Sequence, residues 1–201
     1  PEAVARSIRE TGFGFMFAPA YHPAMKHAMP IRRELPMRTV FNLLGPLSSP
    51  ARVRRQLLGV ADPSLVPLIA GALSRLDTVR AIVVHGADGS DELSLEGPNR
   101  ALLVEDGTTR ELVVDAVELG LARAPLAALV GGDAQLNSAI ALSVLGGEPG
   151  PARDVVLLNA GAALFVAGRA TDVAEGVAMA VESIDSGRGA EVVTRAARVG
   201  S

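Results

Sequence analysis

The sequence has no cysteine and no tryptophan, and only three of its 201 residues are histidines. The lack of cysteine excludes a disulfide framework and any thiolate metal site, and three histidines leave little for a histidine-based zinc site. We therefore expect any metal ion in this protein to be held by carboxylates.

Lysine is almost absent as well, since Lys26 stands alone against eighteen arginines, and the formal net charge is −3. This slightly acidic balance argues against broad nucleic-acid binding, although arginines can form a local anion-binding patch. No apolar run approaches the roughly 20 residues needed to cross a bilayer, and no secretory leader pattern is visible. The expectation is a cytoplasmic protein with neither a membrane nor a nucleic acid as partner.

Hydrophobic residues make up 49% of the sequence, enough to bury a core in a single domain over residues 1–201. Apolar β-branched runs predict strands, and capping residues before apolar stretches predict helices. The predicted strands are 12–18, 56–61, 81–86, 101–105 and 110–114; the predicted helices are 1–12, 23–35, 64–76, 133–145, 154–166 and 172–184. The order predicts a βαβ unit followed by an antiparallel hairpin. The fold class is α/β, with a mixed, mainly parallel central sheet flanked by helices.

A polar loop, Gly86-Ala87-Asp88-Gly89-Ser90-Asp91-Glu92, begins where the predicted 81–86 strand ends. Ligands of parallel α/β sheets bind beyond the carboxyl ends of the strands, so this is a favourable place for a site. The adjacent carboxylates of Asp91 and Glu92 are hard oxygen ligands of the kind that Mg²⁺ uses, often together with substrate phosphates. The competing interpretation is a solvated acidic turn, for which Asp and Gly are equally suited.

A second polar segment runs from Ala18 to His27 and is followed by Arg32 and Arg33. A strand end, a proline-rigid turn and arginines would suit a pocket for a flat anionic substrate, because a guanidinium pairs well with a carboxylate or phosphate. Composition alone favours the alternative, a surface helix with solvated charges. The residues Gly131-Gly132-Asp133 also resemble a phosphate loop, but an ordinary helix N-cap is the better interpretation because an aspartate would repel phosphate.

Several motifs occur in one order and spacing that extends over essentially all 201 residues: 17–27 (FAPAYHPAMKH), 31–35 (IRREL), 38–47 (RTVFNLLGPL), 56–60 (QLLGV), the 85–92 loop, 131–133 (GGD) and 153–160 (RDVVLLNA). Any one of them is weak alone, but the ordered series resembles the anthranilate phosphoribosyltransferase family. The resemblance implies the α/β fold of the nucleoside phosphorylase/phosphoribosyltransferase C-terminal domain.

The resemblance also implies an activity: Mg²⁺-dependent transfer of a phosphoribosyl group from phosphoribosyl pyrophosphate (PRPP) to anthranilate, in tryptophan biosynthesis. Asp91 and Glu92 match the family's acidic Mg²⁺-binding pair. The positions that match the lining of its anthranilate channel are Pro19, His22, Met25 and Arg32, with Ala18 beside them. No general base is implied, because an aniline-type amine is already neutral near pH 7 and positioning with charge stabilisation suffices. Intact members form homodimers.

The sequence departs from the family at its N-terminal side. Members carry an upstream helical domain, a Gly-Thr-Gly-Gly-Asp loop that holds PRPP and a Lys-His-Gly-Asn-Arg motif, and none of these occurs here. We therefore expect a C-terminal portion of such an enzyme, which alone could be inactive. Two alternatives stay open: a nucleoside phosphorylase of the same fold, and a non-catalytic paralogue that binds nucleic acid.

Overall fold

The structure, a computed structural model, describes residues 2–17, 21, 47, 49 and 51–200. Its helices and strands, in chain order, are α1 (Glu2–Thr11), β1 (Arg55–Gly59), α2 (Val66–Leu73), β2 (Arg80–Val84), β3 (Asn99–Glu105), β4 (Thr108–Val114), α3 (Ala134–Leu145), α4 (Pro151–Val166), α5 (Val173–Asp185) and α6 (Arg188–Gly200). Short 3-10 helices occur at Pro63–Leu65, Val117–Leu119 and Leu126–Leu129. Within the described residues, no helix combines the length and apolar character needed to cross a membrane.

The chain divides into two compact units, the first from residues 1–53 and 190–201 and the second from residues 54–189. The single domain expected from the sequence stays a prediction. In the first unit, α1 ends as predicted at Gly12, whose φ of 78° is the left-handed conformation that favours glycine after a helix. The Arg195 guanidinium of α6 donates a hydrogen bond to the Thr11 carbonyl at 3.4 Å. Helix α6 was not predicted.

The strand expected over 12–18 is not present in the described part of that run. Residues 13–17 have no regular secondary structure, and three of them, Phe13, Phe15 and Phe17, are at least half exposed. The rings of Phe15 and Phe17 stack at 6.4 Å between centroids. A strand needs a neighbour to complete its backbone hydrogen bonds, and no described strand pairs with this run. The strand prediction is therefore wrong for residues 13–17.

The second unit is built on a four-stranded sheet in the order β1-β2-β3-β4. Strands β1 and β2 are parallel, and α2 lies between them in the chain, so the predicted βαβ unit is confirmed. The β2–β3 and β3–β4 pairs are antiparallel. The prediction of a mixed sheet flanked by helices is confirmed. The prediction that most strand pairs are parallel is not, because one of the three pairs in the described residues is parallel.

The hairpin between β3 and β4 has the turn that its sequence predicts. Asp106 and Gly107 connect the strands with φ values of 46° and 79°. Positive φ at both central residues is the type I′ turn, which matches the twist of a two-stranded hairpin and favours Asp-Gly. The turn fixes the register in which Glu105 faces Thr108.

The main core lies between one face of the sheet and helices α4 and α5. Each fully buried aliphatic side chain contributes about 1.5–3 kcal/mol relative to exposure. The largest side chains of this core with less than 2% exposure are Ile82, Val84, Leu93, Leu95, Leu103 and Leu158. Helix α2 contacts β2 and β3 and buries Ile69, Ala70 and Leu73.

Two arginines of the sheet donate hydrogen bonds to the last backbone carbonyls of α4. Arg55 donates to the Val166 carbonyl at 2.7 Å, and Arg80 donates to the Phe165 carbonyl at 2.9 Å. The last carbonyls of a helix have no partner within it, and the negative end of the helix dipole attracts cations. Arg80 also lies 4.6 Å from the centre of the Phe165 ring and pairs with Glu105. These contacts attach α4 to the strands.

The aspartates predicted to cap the helices at 64–76, 133–145 and 172–184 do act as N-caps, the first of them on the 3-10 helix Pro63–Leu65 that precedes α2. In each case the aspartate carboxylate accepts a hydrogen bond from a backbone N–H. The pairs are Asp62 with Ser64, Asp133 with Leu136, and Asp172 with Glu175. Such caps satisfy N–H groups that have no partner inside the helix. For Gly131-Gly132-Asp133, this geometry supports the N-cap interpretation over a phosphate loop.

Helices α4 and α5 cross at two glycines. A Cβ atom on Gly176 would lie 2.2 Å from the Gly161 carbonyl oxygen, and one on Gly161 would lie 2.7 Å from the Val177 backbone nitrogen. Both obstacles are backbone atoms, so no side-chain rotation relieves them. The two helix backbones can approach this closely only because neither residue carries a side chain.

We expect Gly176→Ala to lower the free energy of unfolding by about 1–3 kcal/mol, because the added methyl group forces the two helices apart. The matched control is Gly71→Ala in α2, where an added Cβ meets nothing within 4 Å. There the usual gain of about 0.5–1 kcal/mol for Ala over Gly in a helix should appear instead. Chemical denaturation followed by circular dichroism measures both. Equal stabilisation of the two variants would contradict the close helix crossing.

Candidate metal and substrate site

The candidate site is at the carboxyl edge of the two parallel strands, as the sequence predicted. The Val60 amide, just after β1, donates to the Val84 carbonyl at the end of β2, with 2.8 Å between nitrogen and oxygen. His85 Nδ1 lies 2.8 Å from the Val60 carbonyl oxygen. These contacts join the two strand ends, and the polar loop from Gly86 onward begins directly beside them.

The first half of the loop is a turn closed by Asp88. Its Oδ1 accepts from the Ser90 amide at 2.9 Å and from the Ser90 hydroxyl at 2.6 Å. Burial acts to raise the pKa of Asp88, but hydrogen bonds from Ser90 and Ser94 outweigh burial and hold the pKa below its ordinary value. Asp88 is therefore a charged carboxylate whose hydrogen bonds maintain the turn.

Asp91 and Glu92 follow this turn, and both are exposed to solvent. Partial burial of the carboxyl group raises the pKa of Glu92, and repulsion from Asp91 and Asp88 raises it further. Within the described part of the chain, no arginine or lysine forms an ion pair with Asp91 or Glu92. The loop thus concentrates negative charge, and no arginine of the described residues neutralises Asp91 or Glu92 through an ion pair.

This donor set fits a Mg²⁺ ion that is only partly coordinated by protein. No group of three or more His, Cys, Asp or Glu residues suited to a metal occurs among the described residues. Mg²⁺ commonly binds through one or two carboxylates and takes its other ligands from water and substrate phosphates. Two adjacent carboxylates that repel each other, and that form no ion pair within the described residues, meet that requirement, whereas a closed structural metal site would need more ligands.

Asn99 at the start of β3 holds the loop together from inside. Its side chain is fully buried, and its Oδ1 accepts from the amides of Ala87 at 3.1 Å and Ser94 at 2.8 Å. Its Nδ2 donates to the carbonyls of Ser94 and Val114 at 2.9 and 3.0 Å. One amide thereby fixes both ends of the segment that contains the acidic pair. Sequence reasoning missed Asn99, because a single Asn at a strand start carries no distinctive pattern.

A trough of about 760 Å³ lies beside the loop without including the acidic pair. His85, Asp88 and Gly89 line one part of it, and the remainder is formed by the start of α2 and by residues of β3 and β4. Asp91 and Glu92 are therefore not among the residues that line this trough.

The five residues expected to line a substrate channel lie outside the described residues: Ala18, Pro19, His22, Met25 and Arg32. Their roles stay predictions. Of the candidate site residues, the structure describes Asp91 and Glu92.

Comparison with known proteins agrees with the resemblance in the motifs. Residues 1–190 match the family model "Glycosyl transferase family, a/b domain". The anthranilate phosphoribosyltransferase of Chloroflexus aggregans is 56% identical over 196 residues, which cover 96% of this chain and 58% of that protein. This chain therefore spans a little more than half the length of that relative.

Solved structures give the same result for the fold. The crystal structure of anthranilate phosphoribosyltransferase from Thermus thermophilus is 46% identical, with a TM-score of 0.92 that covers 100% of this chain and 60% of that one. The Saccharomyces cerevisiae enzyme in complex with PRPP and Mg is 27% identical, with a TM-score of 0.88 over 98% of this chain and 57% of that one. The same yeast enzyme in complex with 4-fluoroanthranilate gives a TM-score of 0.89 at 27% identity, over 98% of this chain and 57% of that one. The chain belongs to the glycosyl transferase family, and its residues 1–190 correspond to the family's α/β domain.

Proposed function

We propose that this chain is the α/β portion of an enzyme that transfers the phosphoribosyl group of PRPP to anthranilate, a step of tryptophan biosynthesis. The observation that carries the proposal is the similarity of nearly the whole chain to anthranilate phosphoribosyltransferases, at 56% identity to that of Chloroflexus aggregans. An exposed acidic pair at the strand edge, with no ion pair to any other described residue, is the chemical feature that fits the reaction. The cytoplasm is the proposed location, and a homodimer is proposed for the complete enzyme.

In this proposal Asp91 and Glu92 hold Mg²⁺. Bound there, the ion supplies positive charge for the pyrophosphate group as it departs. The turn closed by Asp88 and the buried amide of Asn99 keep the two carboxylates at the edge of the sheet. The binding of Mg and PRPP by the yeast relative supports the proposal.

The anthranilate site is proposed to include Ala18, Pro19, His22, Met25 and Arg32. The Arg32 guanidinium would pair with the carboxylate of anthranilate, since its planar donors match a carboxylate. No side chain is assigned to deprotonate the substrate, because the aromatic amine is already neutral near pH 7. Positioning the amine against the reacting carbon is the remaining task of the protein.

The proposal is tested with a completed chain, in which the 201 residues are joined downstream of the part of the Chloroflexus aggregans relative that they do not match. A thermal-shift screen compares three ligand sets: PRPP with Mg²⁺ and anthranilate, a nucleoside with phosphate, and single-stranded DNA. A ligand at 100 times its dissociation constant stabilises the folded state by about 2.7 kcal/mol. We expect a shift with the first set only. A shift with nucleoside or DNA alone would favour the phosphorylase or the nucleic-acid-binding paralogue instead.

Arg32→Ala in the completed chain should raise the KM for anthranilate more than the KM for PRPP. Loss of a direct charged hydrogen bond costs about 1.5–3 kcal/mol, which corresponds to about 10- to 150-fold in affinity. Steady-state kinetics with each substrate varied in turn measure the difference. Arg110→Ala, in the exposed part of β4, is the control and should leave both KM values unchanged. Equal losses for the two substrates in Arg32→Ala would refute a selective role.

A further inference from the structure

The residue that follows the acidic pair is held by one side chain of α4. Asn159 Oδ1 accepts from the Leu93 amide at 3.0 Å, and Asn159 Nδ2 donates to the Leu93 carbonyl at 2.8 Å. The same Nδ2 donates to the Val155 carbonyl of its own helix at 3.0 Å. The Asn159 side chain thus pairs with both the amide and the carbonyl of Leu93, as a residue of a neighbouring β-strand would. Its bond to Val155 fixes Asn159 against the preceding turn of α4.

A close approach between two backbone segments restrains Asp91, the first residue of the acidic pair. The Asp91 carbonyl oxygen lies only 1.4 Å from the position that a Cβ atom of Gly59 would occupy, so β1 must end in glycine for the loop to pass. The Leu93 side chain is fully buried in the core. The backbone on both sides of Glu92 is therefore restrained by contacts with elements distant in sequence.

Such restraint matters for a pair of adjacent carboxylates. In an extended chain, neighbouring side chains point to opposite faces, so two adjacent carboxylates diverge. Here the chain bends at Asp91 and Glu92 rather than continuing as a strand. Mg²⁺ requires near-ideal octahedral geometry, so carboxylates that serve it need a fixed backbone.

We propose that Asn159 is a positioning residue, which sets the orientation of the Asp91–Glu92 pair toward a divalent cation by clamping Leu93. This inference rests on the proposed function, because it takes the pair to be the metal site. Groups that orient metal ligands without touching the metal typically contribute 10- to 100-fold to metal affinity. Asn159 acts through the backbone and needs no contact with the ion.

The experiment uses the ¹⁵N-labelled completed chain and Mn²⁺ as a paramagnetic probe. Broadening of the Asp91, Glu92 and Leu93 amide signals during a Mn²⁺ titration reports where the cation binds and gives its dissociation constant. Asn159→Leu keeps the approximate size of the side chain and removes the clamp. We expect the Mn²⁺ dissociation constant obtained from these signals to rise at least tenfold in Asn159→Leu. The other amide signals of the metal-free variant should match those of the unaltered chain.

Asn137→Leu is a matched control. Asn137, in α3, makes the same pair of bonds with one loop residue: its Oδ1 accepts from the Gly132 amide at 2.9 Å, and its Nδ2 donates to the Gly132 carbonyl at 3.0 Å. That loop contains neither Asp91 nor Glu92, so the control should bind Mn²⁺ as the unaltered chain does. A tenfold loss in the control would mean that any loop clamp matters, and the specific role of Asn159 would be overturned.

The other outcomes separate the inference from the proposed function. Binding at Asp91 and Glu92 that changes less than twofold in Asn159→Leu overturns the positioning role and leaves the metal site intact. An unaltered chain whose Asp91 and Glu92 signals are not broadened overturns both. Should Asn159→Leu not fold, Asn159→Gln replaces it, because the longer side chain keeps the amide but cannot hold both Leu93 bonds at their present lengths. The same tenfold loss is then expected, and unchanged affinity overturns the proposal.

Discussion

The double substitution Asp91→Asn with Glu92→Gln should lower kcat/KM of the completed chain by about 10²- to 10³-fold, the loss typical of removing one element of transition-state charge stabilisation. The amides keep the shape of the carboxylates but are poor ligands for Mg²⁺. Charge on the departing pyrophosphate would then be neutralised less well, and more Mg²⁺ would be needed to reach half of the maximal rate.

The fold should survive this change. Both side chains are exposed, and exposed substitutions usually shift stability by no more than about 0.5 kcal/mol. Repulsion from Asp91 and Asp88 contributes to the raised pKa of Glu92, so removing charge here relieves an unfavourable interaction. The control is Glu111→Gln with Glu118→Gln, which removes two exposed carboxylates elsewhere in the same unit. Rates are measured against Mg²⁺ concentration, and a wild-type rate of the Asp91/Glu92 variant at limiting Mg²⁺ would show that the metal assignment is wrong.

The 201-residue chain alone should give no detectable turnover of PRPP and anthranilate. The family resemblance implies a glycine-rich loop outside this sequence, whose backbone N–H groups would orient the pyrophosphate. Loss of even one such donor costs about 10²- to 10³-fold in rate, so loss of the whole loop should abolish measurable activity. The acidic pair would then face an incomplete site.

The test requires a folded chain. Circular dichroism and a cooperative melt establish that, and a sensitive assay for phosphoribosylated anthranilate at saturating Mg²⁺ measures the rate. We expect product only after the chain is joined to the missing part of its relative. If the 201 residues alone reached the rate of the completed chain, some element within them would have to replace the loop, and the division of the site between two parts of the protein would be wrong.

The sequence predicted the elements of the second unit because their signals are local. The β-branched run that became β2, the Asp-Gly turn of the hairpin and the aspartate caps of α3 and α5 each depend on a few neighbouring residues. The strand prediction for residues 13–17 was wrong for the opposite reason. The glycine-bounded apolar pattern there is typical of a strand, but a strand also requires a partner, which no local pattern supplies.

Helix α6 was missed although its sequence carried a signal. Apolar residues recur there at helical spacing between arginines, but the last predicted helix ends at residue 184, and Gly187 indicated a stop after it. Gly187 does terminate α5, with a φ of 77°, while Gly189 lies within α6. Gly187 therefore indicated the end of α5 correctly, but it gave no indication that α6 begins at the next residue.

The position of the candidate site was predictable, but its support was not. Asp91 and Glu92 could be placed at the sheet edge because the loop that carries them follows a strand directly. Asn159 lies 66 residues after Leu93 in the sequence. Gly59, which lies against the Asp91 carbonyl, ends β1 and precedes Asp91 by 32 residues. Contacts of this kind arise only from the tertiary packing of α4 and β1 against the loop, so residue type and spacing do not reveal them.

The most direct test of the account is product formation by the completed chain with anthranilate, PRPP and Mg²⁺. Fluorescence or chromatography follows the appearance of N-(5′-phosphoribosyl)anthranilate, with the intact Chloroflexus aggregans enzyme assayed in parallel. The account predicts product that requires all three components and is lost when Asp91 and Glu92 are replaced by Asn and Gln. A folded completed chain that forms no product, under conditions where the intact relative does, would contradict it.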